Sequence, residues 1–243
     1  MSVKPHVLNR ILPRFVRDLL RALALRTIPS MRHLDMRMRL AHLARIGFAP
    51  SMIIDVGAAQ GEWATMASRI WPRARIFGIE PNARNMPLME KLKHKSSQFD
   101  YWQGCLGPEA RTVSYYENGN QTSLLDLRSG NARTSMVRLD DLIAQYGLPA
   151  PDFIKLDVQG YELEVLRGGA TALRSVEAIL VEVNFLKIFP SAPTVEEVIA
   201  FMSNHGLAVF DVMGIYRKPS DDALAQMDFF FIRSDHPWRR NRA

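Results

Sequence analysis

The apolar residues of this chain fall into short runs, and most of these runs are separated by stretches with helical spacing. Seven runs rich in β-branched and aromatic residues predict strands, at residues 52–56, 75–80, 101–106, 153–158, 178–183, 207–213 and 228–232. Amphipathic stretches predict helices at residues 62–70, 82–93, 162–166 and 195–204. Strands that alternate with helices indicate βαβ units, so the pattern predicts an α/β fold with a mostly parallel sheet and right-handed crossovers.

The last two runs break this alternation. Only the mostly polar residues 214–226 separate them, and no helical pattern lies between. We therefore expect these two strands to form an antiparallel pair at one end of the sheet. Tyr216, Arg217 and Lys218 are expected in the loop that joins them, where they could contact a substrate or simply decorate the surface.

The first predicted strand runs into a glycine turn, with the sequence Asp55-Val56-Gly57-Ala58-Ala59-Gln60-Gly61, and the second ends at Glu80. A strand, a glycine turn, a helix and a second strand closing on an acid form a cofactor-binding signature, in which the acid accepts hydrogen bonds from a ribose diol. A dinucleotide loop requires G-x-G-x-x-G at the pyrophosphate, but here Ala59 stands two positions after Gly57. S-adenosylmethionine has a ribose and no phosphate, so the spacing favours this cofactor.

A second polar block follows the fourth predicted strand. Ligands of parallel α/β sheets bind beyond the carboxyl ends of the strands, so Asp157 is expected to face the same crevice as Gly57 and Glu80. The next strand brings Glu182 and Asn184 to the same edge. A base placed at an acceptor hydroxyl contributes roughly 10² to 10⁴ in rate, and Asp157 is our first candidate for it and Glu182 the second.

Each of these residues also has an ordinary structural explanation. Gly57 and Gly61 could serve a turn that needs positive φ, and Glu80 could favour the start of the following helix through its charge. Asp157 could be a helix N-cap, and Glu182 could be ordinary polarity at a strand end. Asp157 and Glu182 could also hold Mg²⁺, which prefers oxygen ligands, although no spacing in the sequence requires a metal.

Length and composition favour one catalytic domain. The chain has 243 residues, of which 47% are hydrophobic, enough for one sizeable core. The single cysteine, Cys105, excludes an intramolecular disulfide and suits a reducing, cytoplasmic compartment. No uninterrupted apolar stretch reaches the length of about 18 residues that a membrane span needs, so no transmembrane helix is expected.

Positive charge is concentrated at the start of the chain. Residues 1–50 hold ten basic and two acidic residues, a net charge of +8, whereas residues 51–243 hold 21 basic and 23 acidic ones, a net charge of −2. Apolar residues recur among the arginines near helical spacing, which is typical of an interfacial helix at an anionic membrane surface and also of a helix packed on the catalytic domain. Aromatic residues are not interleaved with this basic cluster, so nucleic acid is not an expected partner.

Several motifs together resemble the FkbM family of S-adenosylmethionine-dependent methyltransferases, over roughly residues 52–233. They are Asp55 to Gly61, Glu80-Pro81, Gly104-Cys105-Leu106-Gly107, Lys155 to Gly160 with Glu162, Val165-Leu166-Arg167-Gly168, and Asp228-Phe229-Phe230-Phe231. Many relatives have glutamate where Gln159 stands, and the basic N-terminal segment is not part of the family pattern.

The resemblance implies a Rossmann-like class I methyltransferase fold with a seven-stranded, mostly parallel sheet and an antiparallel terminal strand. It implies an O-methyltransferase, because family members methylate hydroxyls, commonly on sugars of glycans and glycolipids or on polyketide natural products. Ser123 lies in a stretch that resembles a serine-containing family segment near the cofactor. The expected cofactor-binding residues are Asp55, Gly57, Ala58, Gly61, Glu80, Pro81, Cys105, Leu106, Ser123 and Asp157.

We expect a basic helical segment over residues 1–49, a methyltransferase domain over 50–235 and a basic tail over 236–243. The expected partner is a small-molecule or glycan acceptor, with peripheral attachment to the inner membrane surface through the N-terminal segment as an alternative location. Two other function classes compete with this interpretation. A dinucleotide oxidoreductase is disfavoured by Ala59, and a non-catalytic S-adenosylmethionine-binding or membrane-surface adaptor module would require that the crevice lack a base.

Overall fold

The computed structural model describes residues 35–118, 121–123, 130, 132–186 and 192–240. The described helices are α1 (Met36–Arg45), α2 (Glu62–Ile70), α3 (Met86–Lys95), α4 (Leu139–Gln145), α5 (Glu162–Arg167), α6 (Ala170–Ser175) and α7 (Val195–Asn204). The described strands are β1 (Met52–Val56), β2 (Arg75–Glu80), β3 (Phe99–Gln103), β4 (Cys105–Leu106), β5 (Arg111–Asn118), β6 (Gln121–Ser123), β7 (Ala132–Val137), β8 (Phe153–Leu156), β9 (Ala178–Asn184), β10 (Leu207–Arg217) and β11 (Leu224–Arg233). Short 3₁₀ turns lie at Ala83–Asn85 and Pro237–Arg239.

Seven strands form the main sheet in the order β10-β11-β9-β8-β1-β2-β3. Strands β9, β8, β1, β2 and β3 pair in parallel, whereas β11 is antiparallel to both of its neighbours, β9 and β10. The predicted Rossmann-like sheet is therefore confirmed, with its antiparallel strand last in the chain. This strand, β11, is the second strand from the edge of the sheet, and β10 forms the edge.

Two strand predictions differ from the structure at their ends. Residues 101–106 were expected as one strand, but the chain leaves the main sheet at Gly104, so that β3 and β4 belong to different sheets. Strands β10 and β11 continue their pairing as far as Arg217 and Leu224. Tyr216 and Arg217, expected in a loop, therefore lie in a strand, because the hairpin extends beyond the apolar part of the sheet.

A second, smaller sheet with the order β4-β7-β5-β6 was not predicted from the sequence. Its strands β5 and β7 pair from Arg111–Met136 to Tyr115–Ala132. Much of β7 is polar and partly exposed, so these residues carry no continuous apolar run. Antiparallel sheets that face water on one side have this character. Its functional consequence is that Tyr115 is brought over the carboxyl edge of the main sheet.

Helices cover both faces of the main sheet, and alternate residues of each strand contribute to the two faces. Helices α4 to α7 pack on one face, where the buried strand residues include Ile54, Leu156 and Val181. Helices α1, α2 and α3 pack on the other, against Ile53 and Phe153 among others. Polar groups of the central strands are therefore concentrated at the carboxyl edge, where the helical layers end.

Helix α1 is part of this packed core. Its Leu40 and Leu43 are fully buried, and Arg39 forms an ion pair with Asp211 of β10. The side chain of Asp35 caps the helix by accepting a hydrogen bond from the Met38 N–H. Residues 36–45 of the predicted basic segment thus pack on the sheet, whereas residues 1–34, including the predicted interfacial helix, lie outside the described residues. Within the described part, no helix combines the length and apolar character needed to span a bilayer.

Candidate active site

The glycine turn after β1 touches the end of β8. Gly57 adopts φ of +76°, and a Cβ atom there would lie 1.9 Å from the carbonyl oxygen of Asp157. Only glycine permits this approach, because the contact is with backbone and cannot be relieved by moving a side chain. Ala59 also adopts positive φ, at 47°, although it has a side chain. Strain of this kind at a non-glycine residue is typical of functional loops.

Glu80 is buried at the end of β2, and its carboxylate is held by three donors. The Ala59 N–H donates to Oε2 at 2.8 Å, while the Asn82 N–H and Asn85 Nδ2 donate to Oε1 at 2.9 and 3.2 Å. Burial raises the pKa of Glu80, and these donors oppose the rise. Among the described residues Oε2 accepts from one donor, so it keeps a position for a ligand hydroxyl.

A crevice at the carboxyl edge of β1, β2 and β8 brings many of the predicted residues together. The predicted cofactor-binding residues that line it are Gly57, Glu80, Pro81, Cys105, Leu106 and Asp157. The other lining residues, which were not among the predicted cofactor-binding residues, are Val56, Ala59, Ile79, Gly104, Tyr115, Val158, Gln159 and Tyr161. Tyr115 closes one side of the crevice, where its hydroxyl donates to the Pro81 carbonyl at 3.1 Å.

Three residues predicted to contact a cofactor lie behind the crevice wall and do not line it. Asp55 is fully buried within β1. Ala58 is buried, and its N–H donates to the Ile79 carbonyl at 3.0 Å. Gly61 is the N-cap residue of α2. These residues hold the shape of the loop. The backbone of Ser123 pairs with Tyr116 in the small sheet, but its side chain is outside the described part.

Cys105 contributes apolar surface to the crevice. Burial raises the pKa of its thiol to about 12, although Arg111 opposes the rise. A thiol with so high a pKa stays protonated near neutral pH and is a poor nucleophile. Cys105 is therefore a wall residue of the crevice.

Lys155, inside β8, is the residue that connects the two polar blocks. Its Nζ lies 3.2 Å from Asp55 Oδ1, 3.6 Å from Asp157 Oδ2 and 3.0 Å from the Gly57 carbonyl oxygen, to which it donates a hydrogen bond. Burial alone would lower the pKa of Lys155, but the two carboxylates outweigh burial and raise it above its ordinary value. The oxygens of Asp55 receive no well-aligned hydrogen bond from the described residues, so this buried carboxylate depends on the charge of Lys155.

The two predicted bases are joined by a bridging amide. Gln159 Nε2 donates to Asp157 Oδ1 and to Glu182 Oε1, both at 3.2 Å. Gln159 adopts φ of 54°, so a strained backbone directs this side chain between the two carboxylates. Asp157 lines the crevice with 39% of its side chain exposed, whereas Glu182 lies beside the crevice.

Asp157 does not cap a helix in this structure. Helix α5 begins at Glu162, and its N-cap residue is Tyr161, four positions after Asp157. The loop between them is held instead by the buried Glu162 carboxylate, which accepts from the Val158 and Gly160 N–H groups at 3.2 and 3.0 Å. Asp157 is therefore free of a capping role and faces the crevice.

Crowding of carboxyl groups affects protonation at this edge. Burial raises the pKa of Glu182 to about 9, with further contributions from the negative charges of Asp157 and Asp228. The pKa of Asp228 is raised to about 6 by burial and by Asp157. The raised pKa favours the protonated form of Glu182, which makes Glu182 a weaker candidate for the base than Asp157.

The described residues lend no support to the magnesium alternative. No group of three or more histidine, cysteine, aspartate or glutamate side chains in the described ranges is arranged to hold a metal ion. The amides of Gln159 and Gln226 instead donate to Glu182, which uses one of the oxygens that a metal would need.

The polar network around Asp157 and Glu182 includes Lys155 and Gln226, which were not among the predicted site residues. Lys155 had a signal, because a charged residue inside a buried apolar strand requires a partner of opposite charge. Gln226 had none, because its contacts with Glu182 and Asn184 depend on the register between β11 and β9. Register between strands that are distant in sequence is not encoded in a local pattern.

The chain is similar in sequence to a known family of methyltransferases and to individual members of it. A family model described as the methyltransferase FkbM domain matches residues 55–207, which is more than half of the chain. The hexuronic acid methyltransferase AglP of Haloferax volcanii is 28% identical over 134 residues, covering 54% of this chain and 54% of that protein. The methyltransferase sdnD of Sordaria araneosa is 30% identical over 168 residues, covering 52% of this chain and 64% of that protein. Each match thus spans less than two thirds of the relative.

Among solved structures, Aeropyrum pernix fibrillarin with natively bound S-adenosyl-L-methionine has a TM-score of 0.49 at 16% identity, covering 81% of this chain and 74% of that chain.

Proposed function

The chain belongs to the FkbM methyltransferase family, and from this premise we propose that it transfers a methyl group from S-adenosylmethionine to a hydroxyl of a sugar in a glycan, glycolipid or related natural product. The observation that carries the proposal is the pair of carboxylates at one crevice. Glu80 is a buried acceptor suited to a ribose, and Asp157 is a partly exposed acceptor suited to a reacting hydroxyl. The printed name of AglP, a hexuronic acid methyltransferase, supports a sugar as the acceptor class.

The residues of the crevice fit S-adenosylmethionine better than a dinucleotide. Gly57 brings the loop against β8, and Ala59 uses its N–H to hold Glu80 instead of leaving it free for a phosphate. When bound, S-adenosylmethionine supplies a methyl group on a positively charged sulfur. Apolar side chains such as Val56, Ile79 and Leu106 suit the uncharged base of such a ligand.

Asp157 is the base in this proposal. It would take the proton of the acceptor hydroxyl, while S-adenosylmethionine, held by crevice residues such as Glu80, would supply the methyl group and leave as S-adenosylhomocysteine. Lys155 Nζ lies 3.6 Å from Asp157 Oδ2, and the Gln159 amide donates to Asp157 Oδ1 and so fixes the orientation of the carboxylate. The raised pKa of Glu182 favours its protonated form, so we assign Glu182 to acceptor binding.

Replacing Glu80 with alanine should weaken binding of S-adenosylmethionine. The lost hydrogen bonds and the unpaired Ala59 N–H are each worth about 1–3 kcal/mol, so the dissociation constant should rise by about 5- to 150-fold or more. Calorimetry with the full chain measures this change. Glu177→Ala, at the opposite edge of the sheet, is the matched control and should leave the constant unchanged. An unchanged constant in Glu80→Ala would remove Glu80 from the cofactor site.

The proposed reaction is tested by S-adenosylhomocysteine formation. Full-length protein is incubated with S-adenosylmethionine and glycan or glycolipid fractions, and the products are analysed by mass spectrometry for added methyl groups. We expect S-adenosylhomocysteine in equal amount to sugar-linked methyl ethers. Cofactor binding without any product would favour the adaptor alternative, and methyl groups on nitrogen or on a non-sugar acceptor would contradict the sugar assignment.

We also propose that residues 1–34 attach the protein peripherally to the cytoplasmic face of a membrane. Anionic lipid attracts basic residues by about 1 kcal/mol each, and salt screens this attraction. Deleting residues 1–34 keeps α1, which packs on the sheet, and should abolish sedimentation with anionic vesicles at low salt without changing cofactor affinity. Full-length protein that ignores such vesicles would disprove the attachment.

A further inference from the structure

A group of polar side chains extends the site beyond the crevice, along one face of β9 and β11. Glu182 pairs with Asp228 and Asn184 pairs with Gln226 in the register of the two strands. Directly opposite residues and alternate residues along a strand share a face, so these four side chains are neighbours. Gln159, in the loop after β8, joins them to Asp157. We call Gln159, Glu182, Asn184, Gln226 and Asp228 the acceptor ledge.

Hydrogen bonds within the ledge use some of its polar atoms and leave others. Gln226 Nε2 donates to Glu182 Oε1 at 2.7 Å and to Asn184 Oδ1 at 3.0 Å, and Gln159 Nε2 donates to Asp157 and Glu182. Both glutamine amino groups are therefore occupied. Asn184 Nδ2 and the carbonyl oxygens of the two glutamines take part in no hydrogen bond with the described residues, and none of them belongs to the buried polar atoms that lack a partner. These atoms therefore reach the surface, where they are available to a ligand.

The atoms without a hydrogen bond are one donor, Asn184 Nδ2, and two acceptors, the carbonyl oxygens of Gln159 and Gln226. They lie near the ends of neighbouring strands. Adjacent hydroxyls of a sugar ring can each donate one hydrogen bond and accept others, so they complement this set. Tyr216, directly opposite Gln226 in β10 and 50% exposed, adds an aromatic side chain at the outer rim. The acceptor ledge adjoins Asp157, and the reacting hydroxyl has to lie beside Asp157.

The charge of the ledge discriminates between sugars. The carboxylates that contribute negative charge here are those of Asp157 and Asp228, because the raised pKa of Glu182 favours its protonated form. The described cation beside Asp157 is Lys155, which is shared with the buried Asp55. A Cβ atom at Gly214 would lie 2.1 Å from Asp228 Oδ2, so the Asp228 carboxylate lies over the edge strand β10, at the outer end of the ledge. An anionic group placed here would meet further negative charge in a partly buried environment, where repulsion is poorly screened.

The basic residues of the β10–β11 hairpin are engaged with their own turn. Arg217 donates to the Asp222 carbonyl oxygen at 2.8 Å, and Lys218 Nζ lies 3.4 Å from Asp221 Oδ2. They are therefore held at the turn and do not compensate the ledge carboxylates. A binding site for a carboxylate would be expected to present a bidentate arginine, and no described ledge residue is an arginine.

We propose that the acceptor ledge binds the methyl acceptor and that the sugar unit which carries the methylated hydroxyl is uncharged, not a hexuronate. The inference rests on the proposed function, which names a sugar without specifying its charge. It separates this chain from its relative AglP, whose printed name specifies hexuronic acid.

Paired sugars test the inference by binding alone. The probes are the methyl glycosides of glucose, galactose and mannose, each with its uronate counterpart, added to the full chain in the presence of S-adenosylhomocysteine. Side-chain amide resonances of Gln159, Asn184 and Gln226 report on the ledge by NMR. The neutral member of at least one pair should shift these resonances and bind about tenfold more tightly than its uronate, as expected for repulsion between partly buried like charges.

Asp228→Asn keeps the shape of the side chain and removes one charge, so it should reduce the preference for the neutral sugar by about threefold. Glu177→Gln removes an exposed carboxylate just before β9, at the opposite edge of the sheet. It should leave the preference for the neutral sugar unchanged. Uronates that bind as tightly as their neutral partners, or six probes that leave the ledge amides unmoved, would overturn the inference. Neither result depends on methyl transfer. The experiment therefore distinguishes a ledge that does not prefer neutral sugars from a protein that does not catalyse the proposed reaction.

Discussion

Replacing Lys155 with methionine should lower the free energy of unfolding by about 3–5 kcal/mol near neutral pH, which is the cost of removing one partner from a buried ion pair. Lys155 is the charge that compensates Asp55, whose carboxylate is fully buried and receives no well-aligned hydrogen bond from the described residues. Methionine fills a similar volume, so the loss reflects charge and not a cavity. Urea unfolding followed by circular dichroism measures it.

The size of this loss should depend on pH in a defined direction. Burial already raises the pKa of Asp55, and Lys155 opposes that rise, so the variant raises the pKa of Asp55 further in the folded state. Above the unfolded value of about 3.9, the unfolded chain ionises Asp55 while the folded variant keeps the proton. Stability of the variant should therefore fall as pH rises, by up to about 1.4 kcal/mol per pH unit, and the variant should be least impaired near pH 4.

Two further variants separate the buried pair from a general effect of lost charge. Lys155→Met combined with Asp55→Asn removes both charges and should recover much of the lost stability. Lys93→Met removes a lysine that pairs with Asp100 at the surface, 2.8 Å away, and should cost no more than about 1 kcal/mol. A Lys155→Met variant that is as stable as Lys93→Met at pH 8 would show that Asp55 does not need its partner.

The central strands of the main sheet were predictable because they are buried on both faces. Such strands read as continuous apolar runs, and Met52–Val56 and Arg75–Glu80 coincide with the predicted spans. The small sheet escaped prediction because strands such as Ala132–Val137 alternate exposed and partly buried positions with little apolar character. Amphipathic helices with caps were also predictable, as at Val195–Asn204, where Thr194 and Glu197 form a capping box.

The site was predictable where its position follows from topology. Parallel strands place their carboxyl ends at one edge, so Gly57, Glu80 and Asp157 could be assigned to one crevice before their geometry was known. The protonation of Glu182 and the contacts of Gln226 could not be assigned, because both depend on which side chains the sheet register brings together. Sequence position therefore indicates which carboxylates reach the crevice, whereas the neighbours of each carboxylate determine its pKa.

Asp157→Asn should lower the rate of methyl transfer by roughly 10² to 10⁴, the contribution of a placed base, while the dissociation constant of S-adenosylmethionine changes little. Asparagine keeps the size of the side chain and an oxygen that can accept from Gln159, so the fold and the crevice are retained. Single-turnover formation of S-adenosylhomocysteine with saturating acceptor measures the rate. Calorimetry on the same preparation measures the affinity, and urea unfolding verifies that the variant is folded.

The same variant should also change the pKa values of the neighbouring carboxyl groups. A purely structural role for Asp157 would not predict this change together with a loss of turnover. After burial, the charge of Asp157 contributes to raising the pKa of Glu182 to about 9 and that of Asp228 to about 6, so both should titrate at lower pH in Asp157→Asn. Carboxyl ¹³C chemical shifts across a pH titration measure the two groups directly. Full turnover in the variant would show that Asp157 is not the base, and unchanged titration of Glu182 would show that the two carboxylates are not electrostatically coupled as the geometry requires.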